Sequence, residues 1–342
     1  MLIRRIILFI LTYLFISDLK AQENFFDSNE IVTIDIVTDL RALFRDINPE
    51  TAKYHPGFIS YIDNNGNSIT INVKLKTRGI FRRSRENCNL PPLTIKFNDE
   101  SLDSSIFMNQ DKLKLVNACY RKRDIYKQYV IKEYLAYRIY NVLTDYSFRV
   151  RMVKIVYVDI NNSIHPFESF GFLIEDINTL NSRTNTKHLK TLGIIQDATD
   201  RKMIDIATVY QYLIGNTDWS VLKQHNIKLV VNDSCLIPIA IPYDFDFCGF
   251  VNPPYTKPPE IIPIKHVTDR YYRGFCRTRE ELAPTFQFFI DKQTEIYSLI
   301  IDDTLLTPQN RKAALKYIDE FYKVIKDHKL VQREFIDNCR SE

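Results

Sequence analysis

The order of hydrophobic patterns along the chain limits the possible folds more than any other feature of the sequence. In the first half, apolar residues recur at every second position, as in Ile69, Ile71 and Val73, which is the period of a strand with one buried face. In the second half, apolar residues recur at helical spacing, as in Ile204–Ile214. A strand-rich half followed by a helical half indicates an α+β fold.

The same order predicts two lobes. The first, residues 22–176, is an antiparallel, strand-rich lobe that contains one long helix at Asp124–Val142. The second, residues 177–342, is mainly helical and ends in a helix that Thr307 and Pro308 begin and that runs to about Lys326. This is the order of a bilobal, protein-kinase-like fold.

Residues 1–21 have the pattern of a secretory signal peptide. Arg4 and Arg5 precede an apolar run from Ile6 to Ile16, and Ala21 offers a small residue before a cleavage point. The run is shorter than the roughly 20 apolar residues that a membrane-spanning helix needs, so we expect no stable span after cleavage. The sequence therefore predicts an exported protein of the periplasm or cell surface.

Export permits disulfides among the six cysteines. None of them lies in the Cys-x-x-Cys spacing that is typical of zinc sites. We favour two pairs, Cys88 with Cys119 and Cys276 with Cys339. Buried free thiols are the alternative.

The segment from Leu236 to Phe250 carries the strongest chemical signal in the sequence. Its only charged residues are Asp244 and Asp246, and burying them without partners would be costly. At a spacing of two on an extended strand, both carboxylates point to one face. Because Mg²⁺ binds through one or two carboxylates plus substrate phosphates, the pair predicts a metal site. An edge-strand pair that faces water is the alternative.

A polar loop precedes this segment, between the helix at Ile204–Ile214 and a predicted strand at Ile227–Val231. In phosphoryl transfer, a carboxylate orients or deprotonates the acceptor hydroxyl, and an Asn completes the metal shell. Asp218 is the candidate base, and Asn226 is the candidate second metal ligand. Helix capping by Asn216 or Asp218, together with a buried His225, is the alternative.

The strand-rich lobe is expected to provide a cation for phosphate groups. Lys96 lies on the polar face of its predicted strand, and Glu133 lies on the apolar stripe of the long helix. A Glu in such a position needs a cationic partner, so we expect a Lys96–Glu133 ion pair, with a Glu at the edge of the stripe as the alternative. The rival phosphate contacts are Lys74, Lys76 and Arg78. A solvated basic loop is predicted at Arg82, Arg83 and Arg85.

Four motifs over roughly residues 70–250 resemble one known family. They are Lys76-Thr77-Arg78-Gly79, Phe172-Leu173-Ile174-Glu175, Gly215-Asn216-Thr217-Asp218 with His225-Asn226, and Pro242-Tyr243-Asp244-Phe245-Asp246. They resemble the CotH-type spore-coat kinases, an atypical secreted kinase family, in its branch of Bacteroidetes-like exported proteins. The resemblance implies a catalytic Asp218, a metal-binding Asp244 with Asp246 beside it, and Glu175 at the nucleotide hinge. Since no Gly-x-Gly-x-x-Gly motif occurs, Arg78 and the Gly79 backbone are expected to hold phosphates instead.

The sequence thus predicts an exported phosphotransferase that uses ATP with Mg²⁺ or Mn²⁺ and phosphorylates an exported or envelope protein. Two alternatives remain open: a non-catalytic envelope binding protein on the same fold, and a metal-dependent phosphohydrolase. Nucleic acid is not an expected partner, because the formal net charge is only +4.

Overall fold

The alternating segments of the first half form seven strands that close into one barrel, in the order β1-β2-β3-β4-β5-β7-β6. The computed structural model describes residues 25–97, 102 and 105–340. The barrel strands are β1 (Val32–Thr38), β2 (His55–Ile62), β3 (Ser68–Thr77), β4 (Leu93–Phe97), β5 (Lys112–Asn117), β6 (Val150–Asp159) and β7 (Phe167–Ile174). Each neighbouring pair is antiparallel except β1 and β6, which pair in parallel and close the barrel.

The alternation of apolar residues gives the barrel its buried interior. Ile36, Ile71 and Leu113 lie with the other inward-facing residues in one buried cluster, while the residues between them face outward. The predicted antiparallel strands are confirmed. The closure of the barrel by the parallel pair of β1 and β6 was not predicted, because the pattern of a strand does not reveal which strand will be its partner.

Eight α-helices are present in the part of the chain that the structure describes. They are α1 (Leu40–Arg45), α2 (Ile125–Leu143), α3 (Ile177–Thr184), α4 (Arg201–Ile214), α5 (Arg279–Asp291), α6 (Gln293–Ile301), α7 (Pro308–Lys326) and α8 (His328–Val331). The long helix α2 packs against β6 and β7 on one side and against α4 and α6 on the other. The mixed α+β composition that the sequence predicts is therefore confirmed.

A second sheet positions the two polar loops singled out in the sequence. Its strands are β8 (Thr186–Leu189), β9 (Ile227–Asn232) and β10 (Cys235–Pro242), in the antiparallel order β10-β9-β8. Pro242 pairs with Ile227, so the loop that ends at Asn226 and the loop that begins at Tyr243 meet at one end of this sheet. The backbone N–H of Tyr243 donates to the Asn226 carbonyl at 3.0 Å.

Both predicted disulfides are confirmed. Cys88 is bonded to Cys119 and Cys276 to Cys339, whereas Cys235 and Cys248 are free thiols. The signal peptide predicted for residues 1–21 lies outside the described residues. Within the described ranges, no helix combines the length and the apolar character needed to cross a membrane.

Candidate active site

The loop that carries Asp218 begins where α4 ends at Gly215. Gly215 has a left-handed φ of 63°, and a Cβ at this position would overlap the hydroxyl of Tyr317. Beyond it, the Asn216 Oδ1 accepts the Asp218 backbone N–H at 2.9 Å. Arg273 donates through Nη1 to the carbonyls of Thr217 and Trp219. The loop is therefore held by fixed backbone contacts, as a precisely placed carboxylate requires.

The structure brings Asp218 and Asn226 together. Asn226 donates through Nδ2 to the Asp218 carbonyl at 2.8 Å and to Asp218 Oδ2 at 3.1 Å. The other carboxylate oxygen, Oδ1, lies 2.8 Å from Nε2 of His225. The His225 side chain is 55% exposed, so the alternative of a buried histidine is wrong. This geometry orients Asp218 with two neighbouring side chains and leaves its carboxylate at a solvent-accessible surface.

Asp244 and Asp246 lie in the loop after β10, not on the strand itself. Asp244 has a left-handed φ of 65°, and its backbone N–H donates to the Tyr137 hydroxyl at 2.8 Å. Asp246 is only 7% exposed, and its Oδ2 accepts the Tyr255 hydroxyl at 3.3 Å. Burial first, and then the nearby charge of Asp244, raise the pKa of Asp246 to about 7. The expected extended strand is thus replaced by a turn that brings the two carboxylates near each other.

The sequence predicts that Glu133 pairs with Lys96, and this prediction is wrong, because Glu133 pairs with Arg82 instead. Arg82 Nη1 lies 3.5 Å from Glu133 Oε2, and Arg82 also donates to the Asn117 carbonyl. Burial raises the pKa of Glu133, and the charge of Asp246 adds to this effect, while Arg82 opposes it. The prediction of a solvated basic loop is wrong for Arg82 and Arg83, which are both buried. Arg85 is exposed, as predicted.

Lys114 is a half-buried cation near Asp244, and the sequence analysis did not single it out. Its Nζ lies 5.3 Å from the ring centre of Tyr243 and 5.6 Å from that of Phe148. Burial first, and then the charge of Arg78, lowers the pKa of Lys114 to about 8, while Asp244 is close enough to act in the opposite direction. The Lys-Leu-Lys-Leu alternation of β5 is the signal that identifies Lys114 as outward-facing.

Lys96 lies one row away from Lys114 on the outer face of the barrel. In the register of the strands it is paired with Lys74 on one side and Lys112 on the other. Lys112 forms an ion pair with Asp176 at 3.1 Å. Lys96 therefore belongs to a row of lysines that flanks the cluster around Asp244.

Glu175 and Arg78 have different surroundings. The Glu175 carboxylate is fully buried, accepts the Arg149 backbone N–H at 2.7 Å and pairs with Arg183 at 2.6 Å. Glu175, which the resemblance places at the nucleotide hinge, therefore uses its carboxylate for contacts within the protein. Arg78 follows the end of β3, and its charge acts on Lys114, Glu133 and Tyr137. Arg78 is thus close enough to the candidate site for its charge to affect the groups there.

The oxygen atoms at this site suit a hard cation. Among the described residues, no group of three or more His, Cys, Asp or Glu side chains is placed to hold a metal ion. Asp244 and Asp246 bring two carboxylates, and Asn226 binds Asp218 through Nδ2, which leaves its Oδ1 for another partner. Two carboxylates and an amide oxygen match Mg²⁺, which retains several waters and binds substrate phosphates as well. The pKa of Asp246 is raised first by burial and then by Asp244, although the charge of Arg82 opposes this shift.

Comparisons with known proteins identify no family. No family model matches the chain, and no curated protein matches it. Among solved structures, the fold is similar to the crystal structure of a Helicobacter pylori proinflammatory kinase, CtkA. The similarity covers 72% of this chain and 91% of that chain, at 10% sequence identity and a TM-score of 0.38. At this level the likeness assigns neither a family nor an activity, so function is argued from the site alone.

Proposed function

We propose that this protein is a phosphotransferase that uses ATP with Mg²⁺ or Mn²⁺ and has a kinase-like bilobal arrangement. The observation that carries the proposal is the convergence of carboxylates from two loops, Asp218 after α4 and Asp244 with Asp246 after β10, beside the half-buried Lys114. Phosphoryl transfer requires a carboxylate near the acceptor, oxygen ligands for a metal, and a cation for the phosphates.

On the acceptor side, Asp218 is the proposed base. His225 and Asn226 hold its two carboxylate oxygens at 2.8 and 3.1 Å and so fix its orientation. The acceptor hydroxyl loses its proton to Asp218 as its oxygen bonds to the γ-phosphorus. The bond between that phosphorus and the bridging oxygen breaks, and ADP leaves with the bonding electrons.

On the donor side, Lys114 and Arg78 are the proposed phosphate contacts. Both lie on the barrel side of the site, and their charges act on each other, so a polyphosphate between them would relieve a repulsion. Lys96 lies one row away from Lys114 on the barrel, so this proposal gives it only a secondary role. Asp244, Asp246 and Asn226 are the proposed metal ligands, and a bound divalent ion would neutralise charge on the transferring phosphoryl group.

The proposed acceptor is an exported or envelope protein. Two disulfides support an oxidising compartment, because such bonds persist mainly outside the cytoplasm. The signal-peptide pattern of residues 1–21 and the motifs that resemble CotH-type kinases agree with this proposal.

The test is a thermal-shift experiment on the chain from Gln22 to Glu342, with an Asp244→Ala variant and an exposed-carboxylate control, Asp302→Ala. The proposal predicts a rise in Tm that needs both ATP and Mg²⁺ or Mn²⁺, that disappears in Asp244→Ala and that persists in Asp302→Ala. Transfer of labelled phosphate from ATP should then be lost in Asp218→Asn. A rise with metal alone would favour a phosphohydrolase instead, and no rise at all would favour a non-catalytic binding protein.

A further inference from the structure

A groove of about 490 Å³ opens directly beside the proposed base. One wall is the loop that runs from Asp218 to His225, and the opposite wall is the segment around Pro259 to Ile262. Its lining residues are Thr217, Asp218, Trp219, Ser220, Lys223, Gln224, His225, Pro259, Ile261, Ile262 and Arg273. A molecule in this groove would contact the carboxylate that the proposed reaction uses.

The floor of the groove is rigid. The Arg273 guanidinium lies 5.3 Å from the Trp219 ring centre and donates through Nη1 to two carbonyls of the Asp218 loop. The opposite wall follows a segment that contains Pro253, Pro254, Pro258 and Pro259. Proline limits backbone freedom, so this wall loses little entropy when a ligand binds.

The groove also presents aliphatic side chains to solvent. Ile261 is 93% exposed, although it lines a concave surface, and Ile262 beside it is buried. Leu222 is exposed as well and lies in the loop of the other wall, between Asp218 and Lys223. A lone exposed isoleucine needs no explanation, but aliphatic residues at a groove beside a reactive carboxylate mark a binding surface.

The charges at the groove differ between its two walls. Lys223 is exposed on the wall that carries Asp218, and Arg273 lies in the floor, whereas the exposed Glu260 lies between Pro259 and Ile261 in the opposite wall. An acidic side chain of a ligand is therefore complementary to the wall that carries Lys223.

We propose that this groove binds the acceptor as an extended polypeptide in which a large aliphatic residue lies next to the hydroxyl residue and an acidic residue lies nearby. The aliphatic side chain packs on Ile261, and the acidic side chain faces Lys223. This inference rests on the proposed phosphotransferase function, and it adds the acceptor sequence that the site selects.

The experiment measures binding separately from transfer. The probe is a fluorescent peptide, Gly-Asp-Leu-Ser-Leu-Asp-Gly, and its matched forms replace both Leu by Ala or both Asp by Lys. Fluorescence anisotropy gives the Kd of each peptide for the Gln22–Glu342 chain and its Ile261→Ser and Lys223→Glu variants. Leu236→Ser, an exposed aliphatic residue at the far end of β10, and Lys312→Glu, an exposed lysine of α7, are the controls.

The proposal predicts that Ile261→Ser raises the Kd of the Leu peptide about tenfold and leaves that of the Ala peptide nearly unchanged. Lys223→Glu should weaken the Asp peptide and strengthen the Lys peptide, while neither control variant changes any Kd. Equal Kd values for the Leu and Ala peptides, or equal effects of the site and control variants, would overturn the inference.

The Tm shift with ATP and Mg²⁺, recorded for each variant, separates this inference from the proposed function. An intact shift with no Ile261-dependent peptide binding would overturn the groove and leave the phosphotransferase. Ile261-dependent binding without any nucleotide shift would support the groove as a peptide site and contradict the phosphotransferase.

Discussion

At the scale of single residues, the site is defined by charges that the fold buries close together. Asp246 and Glu133 both have raised pKa values, because burial penalises their charged forms. The charge of Asp244 raises the pKa of Asp246 as well, and the charge of Asp246 raises that of Glu133. Arg82 is the cation that pairs with Glu133, at 3.5 Å. Buried carboxylates with raised pKa values lower the stability of the folded state, and such groups are common at functional sites.

The first prediction concerns Asp246 and pH in the absence of metal. Burial raises its pKa to about 7 in the folded protein, well above the ordinary value of an aspartate, so the folded state retains a proton that the unfolded state releases. Stability should therefore fall as the pH rises from about 4 to about 7, with a pKa unit corresponding to about 1.4 kcal/mol. Denaturant unfolding in EDTA at about pH 5.5 and about pH 8 measures this difference.

Asp246→Asn should remove most of this pH dependence and make the metal-free protein more stable than the wild type at the higher pH. The same variant should lose the Tm rise with ATP and Mg²⁺. Asp302→Asn serves as the control, and a pH dependence that is equal in Asp246→Asn and wild type would contradict the assignment.

The second prediction separates two lysines of adjacent strands. Lys114 is half-buried and close enough to Asp244 for the two charges to interact, whereas Lys96 lies one row away on the barrel surface. Lys114→Met should lower kcat/KM for phosphate transfer about a hundredfold, the order expected for loss of one charged contact to the reacting group. Lys96→Met should change it only a few-fold. The reverse order would restore Lys96 as the phosphate-binding lysine.

At the scale of elements, the ends of α4 and β10 decide where the reactive groups lie. Both ends use left-handed residues, Gly215 at the end of α4 and Asp244 after β10. The loop after β3 reaches the same place, because Phe81 packs on Phe247 and Tyr255 at ring-centre distances of 5.3 and 5.2 Å. Three chain segments thus meet through backbone turns and aromatic contacts.

The third prediction tests the turn at Gly215. Gly215→Ala should destabilise the protein by more than the roughly 1–2 kcal/mol of a left-handed alanine, because its Cβ would also overlap the Tyr317 hydroxyl. In a Tyr317→Phe background, which lacks that hydroxyl, the same substitution should cost less. A double-mutant cycle by chemical denaturation measures the coupling, and purely additive effects would contradict the close contact.

At the scale of the whole molecule, two disulfides link distant parts of the chain. Cys88–Cys119 ties the loop that carries Arg82 to the segment that follows β5, and Cys276–Cys339 ties the segment before α5 to the last described turn. The separations of 31 and 63 residues imply stabilisation of about 4 kcal/mol each in the chain-entropy description.

The fourth prediction distinguishes the two disulfides by function. Replacing both Cys88 and Cys119 by Ser should lower Tm and also weaken the Tm rise with ATP and Mg²⁺, since Arg82 is positioned by that loop. Replacing Cys276 and Cys339 should lower Tm by a similar amount and leave the ligand-dependent rise intact. Equal losses of the ligand effect in both double variants would show that the first disulfide has no special link to the site.

The sequence by itself determined the types of the elements and the positions of the polar loops between them. Periods of two and 3.6 residues depend only on local backbone geometry, so the strands around Ile71 and the helix α4 were predictable. The polar loops with Asp218 and Asp244 were recognisable because charged residues interrupt apolar segments. Local patterns of this kind need no knowledge of tertiary contacts.

Only the tertiary structure decided which of these residues meet. Contacts between segments far apart in sequence decide three features. They are the closing pair of β1 and β6, the pairing of Glu133 with Arg82, and the partial burial of Lys114. The periodicity of a segment indicates which of its residues share a face, but it does not indicate which other segment covers that face. The sequence does not indicate that a charged side chain such as Arg82 is buried. The free-energy cost of burying its charge is offset by partners that only the tertiary structure brings within contact distance.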